Sequence, residues 1–288
     1  MHDQAEALRL KMMKSQRQVA RSIAIVSGKG GVGKSNFTAN FSYGLVAKGK
    51  KVLIVDMDIG MGNIHILFGA TPMFHLKDYL SDKQPLQSVV TPIEDNLAFI
   101  AGGSGLENVV EWSGEMFDRL IEAFSILQME YDVILFDMGA GATKSSIDLI
   151  LAMDEIILIA TPEPTSITDA YSMIKFICLQ DANKSIHIVS NRVLKEQDGR
   201  DSVARLQLAM RKFLSIDTSV LGFLPDDIHV RNAVNAQIPF VKLYPNSKIS
   251  KRMLAITDTF LHSNKPSTSI ETSGFIDKIK GVFLKGRM

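Results

Sequence analysis

Residues 22–35 read SIAIVSGKGGVGKS, and the fold follows from how that stretch divides. Ile23–Val26 is an unbroken apolar run rich in β-branched residues, the pattern of a strand buried on both faces. Gly28–Ser35 then satisfies the spacing G-x-x-x-x-G-K-[ST]. In such a loop, glycines let backbone N–H groups converge on phosphate oxygens just ahead of a helix N-terminus. Lys34 is expected to neutralise the β and γ phosphates, and the Ser35 hydroxyl to coordinate Mg²⁺. The backbone of Gly28, Gly30, Gly31, Val32 and Gly33 completes the expected phosphate contacts. One lysine suffices for this chemistry, so Lys29 needs a separate explanation.

Further apolar runs repeat the strand pattern: KVLIVD from Lys51, LAFIAG from Leu97, DVILFD from Asp132, EIILIAT from Glu155, SIHIVSN from Ser185 and SVLGFLP from Ser219. Helical periodicity lies between them, at residues 114–128, 165–179 and 202–214. Alternation of this kind predicts an α/β fold, a doubly wound, mostly parallel sheet with helices on both faces. Ligands in such sheets sit beyond the carboxyl ends of the strands. Residues 22–262 form this domain. Residues 1–21 are a charged segment ahead of it, 263–273 a polar linker rich in Pro, Ser and Thr, and 274–288 an apolar and basic tail.

Bulk properties narrow the function. The chain has 288 residues, 46% of them hydrophobic, and a formal net charge of +1, so no global field draws it to nucleic acid. No run is long and apolar enough for a spanning helix, and the N-terminus has no apolar signal core. The single cysteine, Cys178, cannot form an internal disulfide or supply a cluster's ligand set alone. A reducing cytosol suits it.

Other strand ends carry the companions a phosphate loop needs. Asp137 closes ILFD, where a second acid can hold the Mg²⁺ shell through water, and the following Gly139–Gly141 can move with the γ-phosphate. Asp56 and Asp58 close another strand, and one of them can orient the attacking water. Asn191 ends a later strand with an amide suited to the adenine edge. It is followed by Arg192, Val193 and Leu194, without the Asn-Lys-x-Asp signature of guanine sites.

With these motifs in place, the chain resembles the MinD/ParA ATPases. KGGVGKS with Lys29 is similar to their deviant Walker A box, and VDMDIG, FDMGAG, TPEP and SNR match the remaining landmarks in order over residues 20–262. The resemblance implies an ATP-dependent homodimer in which each copy sends Lys29 to its partner's phosphates. It further implies a catalytic set of Lys29, Lys34 and Asp58, with Asp58 positioning water in switch I. Ser35, Asp58 and Asp137 serve Mg²⁺, and Asn36, Gly141, Asn191 and Arg192 join the nucleotide contacts. A slow, switch-type hydrolysis of ATP to ADP is expected.

Within the family the chain resembles the flagellar site and number regulators, the FlhG branch. Asn36, Gly139 and the extension DQAEALRLKM at residues 3–12 favour that branch over MinD. The branch implies that Gln4 and Arg9 stimulate the signal-recognition-type GTPase FlhF, and that flagellar switch-complex proteins are partners. In the tail, a 100° wheel puts Phe275, Ile276, Ile279, Val282 and Phe283 on one arc, with Lys280 and Lys285 outside it. Such a helix suits an interfacial anchor on anionic lipid, so the protein is expected to cycle between cytoplasm and the inner membrane face. A MinD-like division-site regulator and a ParA-like DNA-partition ATPase are the alternatives. Near-neutral charge and the apolar tail count against the second, and no specific nucleic acid is expected.

Overall fold

Side chains alternate across β1 (Arg21–Val26) so that Ile23 and Ile25 enter one apolar cluster while Ala24 and Val26 enter another. Both faces of this strand are therefore covered, which explains why its sequence is a continuous run rather than an alternation. The structure, a computed structural model, describes residues 19–58, 62, 64–102, 114–263, 275, 276, 278 and 279. Among these, eight strands form one sheet in the order β3-β4-β2-β5-β1-β6-β7-β8. The other strands are β2 (Val52–Met57), β3 (Val90–Glu94), β4 (Leu97–Ile100), β5 (Val133–Met138), β6 (Glu155–Ala160), β7 (Ser185–Val193) and β8 (Ser219–Pro225). All pairings are parallel except β3 with β4. The antiparallel β3 was not foreseen: VTPIE is half-buried at a sheet edge and interrupted by Pro92, so it lacks the buried-run signal.

The helices are α1 (Lys34–Ala47), α2 (Ile64–Leu67), α3 (Leu76–Leu80), α4 (Leu86–Val89), α5 (Gly114–Glu130), α6 (Lys144–Ala152), α7 (Pro164–Cys178), α8 (Glu196–Leu214), α9 (Ile228–Ala236), α10 (Phe240–Leu243) and α11 (Lys248–Ser263). On one face α1 carries Phe37 and Phe41 into a core shared with Phe260 of α11. Each such buried side chain stabilises the fold by about 1.5–3 kcal/mol. On the other face Leu120, Phe124, Ile147, Ile174 and Leu206 of α5–α8 cover the sheet. Helix α8 starts at Glu196, six residues before the expected 202; its first turn is polar and contains Gly199, so it carries no apolar periodicity to read. That glycine is required by packing: a Cβ there would lie 2.9 Å from Val193 Cγ1.

At the amino ends of the strands, Glu155 accepts from Arg21 (2.6 Å) and faces His187 Nε2 at 3.0 Å. Burial pulls the Glu155 carboxyl upward, but the bond from His187 and the Arg21 charge outweigh it and hold the net value below 4.5. No helix among the described residues is long and apolar enough to cross a membrane.

The described tail residues are helical, and Phe275 and Ile279 are each only 2% exposed, packed into the domain. The Phe275 ring meets Phe124 edge-on at 5.4 Å and Phe136 at 5.5 Å. Lys278 pairs with Asp154 at 3.3 Å. The three described residues of the apolar arc, Phe275, Ile276 and Ile279, are thus covered here by protein.

Candidate nucleotide site

Six segments converge beyond the carboxyl edge of the sheet: those following β1, β2, β5, β6, β7 and β8. Gly33 stands at the N-cap of α1 with φ 92°, a left-handed conformation that glycine tolerates. No side chain caps this helix, so its first-turn N–H groups are left for a ligand. Gly28 lies against the backbone of α7, where a Cβ would fall 2.1 Å from the Asp169 carbonyl carbon. Gly30, Gly31, Gly33, Lys34, Ser35 and Asn36 line a cleft of about 420 Å³, and Asp58 forms part of its wall.

Under the loop, Lys34 Nζ donates to Asp137 Oδ1 at 3.0 Å, with side-chain exposures of 7% and 1%. Thr38 Oγ1 lies 3.0 Å from the same oxygen. Among the described residues Asp137 Oδ2 is buried without a hydrogen-bond partner, a costly arrangement unless something else engages it. An orphaned carboxylate oxygen beside a phosphate-type loop, with Ser35 and Asp58 on the same cleft, fits a hydrated Mg²⁺ carried in with a nucleotide. Among the described residues no group of three or more His, Cys, Asp or Glu forms a metal cage.

Asp56 and Asp137 are direct register partners on β2 and β5. Burial, and next the Asp137 charge, push the Asp56 carboxyl up to about 7. Asp58 reaches further out. A Cβ on Gly139 would lie 3.6 Å from Asp58 Oδ1, and one on Gly30 3.8 Å from Ala140 Cβ. The segment after β5 therefore lies close both to Asp58 and to the loop. Gly141 follows with φ 96°.

Lys29 does not line the cleft. Its Nζ bonds Glu163 Oε2 at 2.7 Å and Thr165 Oγ1 at 3.1 Å. The Lys29 bond and charge hold the exposed Glu163 carboxyl below its ordinary value.

Asn191 Nδ2 donates to Val32 O at 2.8 Å, which ties the end of β7 to the loop. Beside it a smaller cavity of about 140 Å³ is lined by Asn191, Arg192, Leu224, Pro225, Asp226 and Asp227. It shares Gly33, Asn36, Arg192 and Val234 with the larger cleft, so the two adjoin. Arg192, at φ 55°, lines both.

Sequence reasoning gave no role to Leu224–Asp227, Thr38 or Glu163. A turn signal at Pro225, with Asp227 capping α9 through the His229 amide at 3.0 Å, could have marked the first. Thr38 lies one helical turn from Lys34, and Glu163 precedes Pro164 at the first position of α7. Gln4, Arg9, Lys280, Val282, Phe283 and Lys285 lie outside the described residues. Ile276 is partly buried.

Comparisons with known proteins agree with this geometry. The family model ParA, described as NUBPL iron-transfer P-loop NTPase, matches residues 18–261. Antiactivator FleN of Pseudomonas aeruginosa is 32% identical over 86% of this chain and 88% of its own. The flagellum site-determining protein YlxH of Helicobacter pylori is 34% identical over 80% of this chain and 78% of its own. Septum site-determining MinD of Pyrococcus horikoshii, solved as a complex with Mg-ADP, superposes with a TM-score of 0.68 at 28% identity. That match covers 84% of this chain and 96% of the other.

Proposed function

Because the chain belongs to the ParA family of P-loop NTPases, we propose that it is a slow, Mg²⁺-dependent ATPase switch whose two copies pair face to face on ATP. The observation that carries this reading is Lys29. Its ammonium is turned out of its own cleft and held at 2.7 Å by Glu163, where it is available to a second copy. A cation delivered across a seam stabilises phosphate charge only when nucleotide and dimer coexist, so the two equilibria are linked.

Bound Mg²⁺–ATP supplies the electrophilic phosphorus and a metal that shields its charge. The residues of the chain supply the surroundings. Lys34, paired with Asp137 at 3.0 Å, would hold the β and γ phosphates, and Ser35 and Asp137 would hold the metal through its water shell. Asp58 orients the attacking water at the seam, and Asn191 and Arg192 hold the base side. Cys178 is the only cysteine in the chain, so the paired thiolates an iron cluster would need from each copy are lacking.

The names of the relatives FleN and YlxH support flagellar placement and number as the output. In this reading residues 22–262 are the switch, and the segment 1–21 stimulates FlhF through Gln4 and Arg9. Flagellar switch-complex proteins are further partners. Beyond the linker 263–273, the tail 274–288 leaves its site on Phe124 and Phe136 in the dimer and inserts into anionic lipid. Two tails on one dimer act by effective concentration. The protein then cycles from the cytoplasm to the inner membrane face. A division-site role of the MinD type is the second reading, favoured by the match to MinD. Deleting the gene separates the two by whether flagellar number or septum position changes.

Molar mass by light scattering tests the switch. We expect a monomer with ADP, a transient dimer with ATP, and a trapped dimer for Asp58→Ala with ATP. Lys29→Ala should bind a fluorescent ATP analogue yet stay monomeric. A normal Lys29→Ala dimer on a non-hydrolysable analogue overturns the proposal.

A further inference from the structure

Asp56 is 3% exposed and stands beside a second carboxylate, an expensive position for an acid. Its bonds say what it does. Oδ1 accepts from the Asp58 amide at 3.0 Å, and Oδ2 accepts from the Ile64 amide at 3.4 Å, the first residue of α2. The two oxygens thus grip the chain on either side of the segment that leaves β2 and enters α2. Gly62 lies inside this grip. A Cβ on Gly62 would come 2.6 Å from Asp56 Oδ2 and 2.9 Å from the Asp58 carbonyl oxygen.

We infer that Asp56 is a positioning residue, a two-ended staple across switch I that fixes where the Asp58 carboxylate stands over the cleft. A carboxylate is needed because it accepts through both oxygens, whereas an Asn in its place would accept through one and present a donor to the other amide. Gly62 is needed because any side chain there would wedge the staple open. The Asp58 side chain faces Gly139 of switch II, so a displaced staple moves Asp58 relative to both switches. The metal plays no part in this role.

The inference rests on the reading of Asp58 as the water-orienting acid, and the experiment separates the two. Asp56→Asn, Gly62→Ala and Asp58→Ala are compared with the parent in steady-state ATP turnover, analogue affinity, dimer lifetime on ATP and half-saturating Mg²⁺. Gly62→Ala removes no polar group and keeps the Asp56 carboxylate, so it decides the matter even where Asp56→Asn folds poorly. Both staple variants should bind the analogue within about twofold of the parent and dimerise. Their turnover should fall by about 10- to 100-fold, the cost of misplacing a reacting group by about an ångström, and their dimers should persist. Parental turnover in Gly62→Ala alongside an inactive Asp58→Ala overturns the staple alone. Parental turnover in Asp58→Ala instead removes the reading of Asp58. A shift in half-saturating Mg²⁺ for Asp56→Asn that Gly62→Ala does not share would place Asp56 at the metal and also overturn the staple.

Discussion

Replacing Phe275 by Leu changes how the tail is held without removing its apolar character. In the structure the ring sits 5.4 Å from Phe124 at 82° and 5.5 Å from Phe136 at 49°. Each aromatic pair is worth about 0.5–1.5 kcal/mol beyond the area it buries, so losing both costs about 1–3 kcal/mol. At about 1.4 kcal/mol per factor of ten, the free tail should gain roughly 5- to 150-fold over the docked one. That shift is measurable because docking is close to balance. Burying Phe275 and Ile279 contributes about 3–6 kcal/mol, and ordering the segment opposes it at over 1 kcal/mol per residue. Lipid affinity should change little, since Leu partitions about as well as Phe. The assay is co-sedimentation with anionic vesicles in ADP, where the parent should stay in solution and Phe275→Leu should bind. A variant lacking residues 274–288 should not bind in any nucleotide. If Phe275→Leu in ADP is no more membrane-bound than the parent, the docked tail is not what holds the protein off lipid.

Three other outcomes are expected. Glu163→Gln releases Lys29 from its ion pair and should lower the ATP concentration needed for pairing, by at most about fivefold for so exposed a contact; an unchanged or higher requirement counts against the exchange of partners. Gly28→Ala forces a methyl onto the α7 backbone and should cost about 1–3 kcal/mol of stability, seen as an earlier urea midpoint with weaker analogue binding. Glu155 has a depressed pKa, so its stabilisation is present above the unfolded value and is lost as pH falls through the folded one. Unfolding midpoints of the parent should therefore drop below about pH 4.5, and Glu155→Gln should show a flatter acid limb.

The central strands and the phosphate loop were legible because burial on both faces leaves an unmistakable apolar run, and because Gly33 and Lys34 have few alternative uses at that spacing. The edge strand β3 was not, since Pro92 and partial exposure erase the same signal. The tail shows a different limit. Its arc of Phe275, Ile276 and Ile279 is plain on a helical wheel, but a wheel reports only that one side avoids water. It does not distinguish an acyl layer from Phe124 and Phe136. The segment Leu224–Asp227 escaped notice because a turn after a strand is common, and only its approach to Asn191 makes it part of a pocket. Asp56 was read as one of two acids that could orient the attacking water, and the farther amide it holds lies eight positions along the chain, a separation no local pattern reveals.

The outer strand β3 carries Pro92, and its pairing with β4 shifts register between Pro92 and Glu94. A border so blunted offers a neighbouring chain no straight ladder to extend. On that flank, ribbon-like growth into open fibres is discouraged.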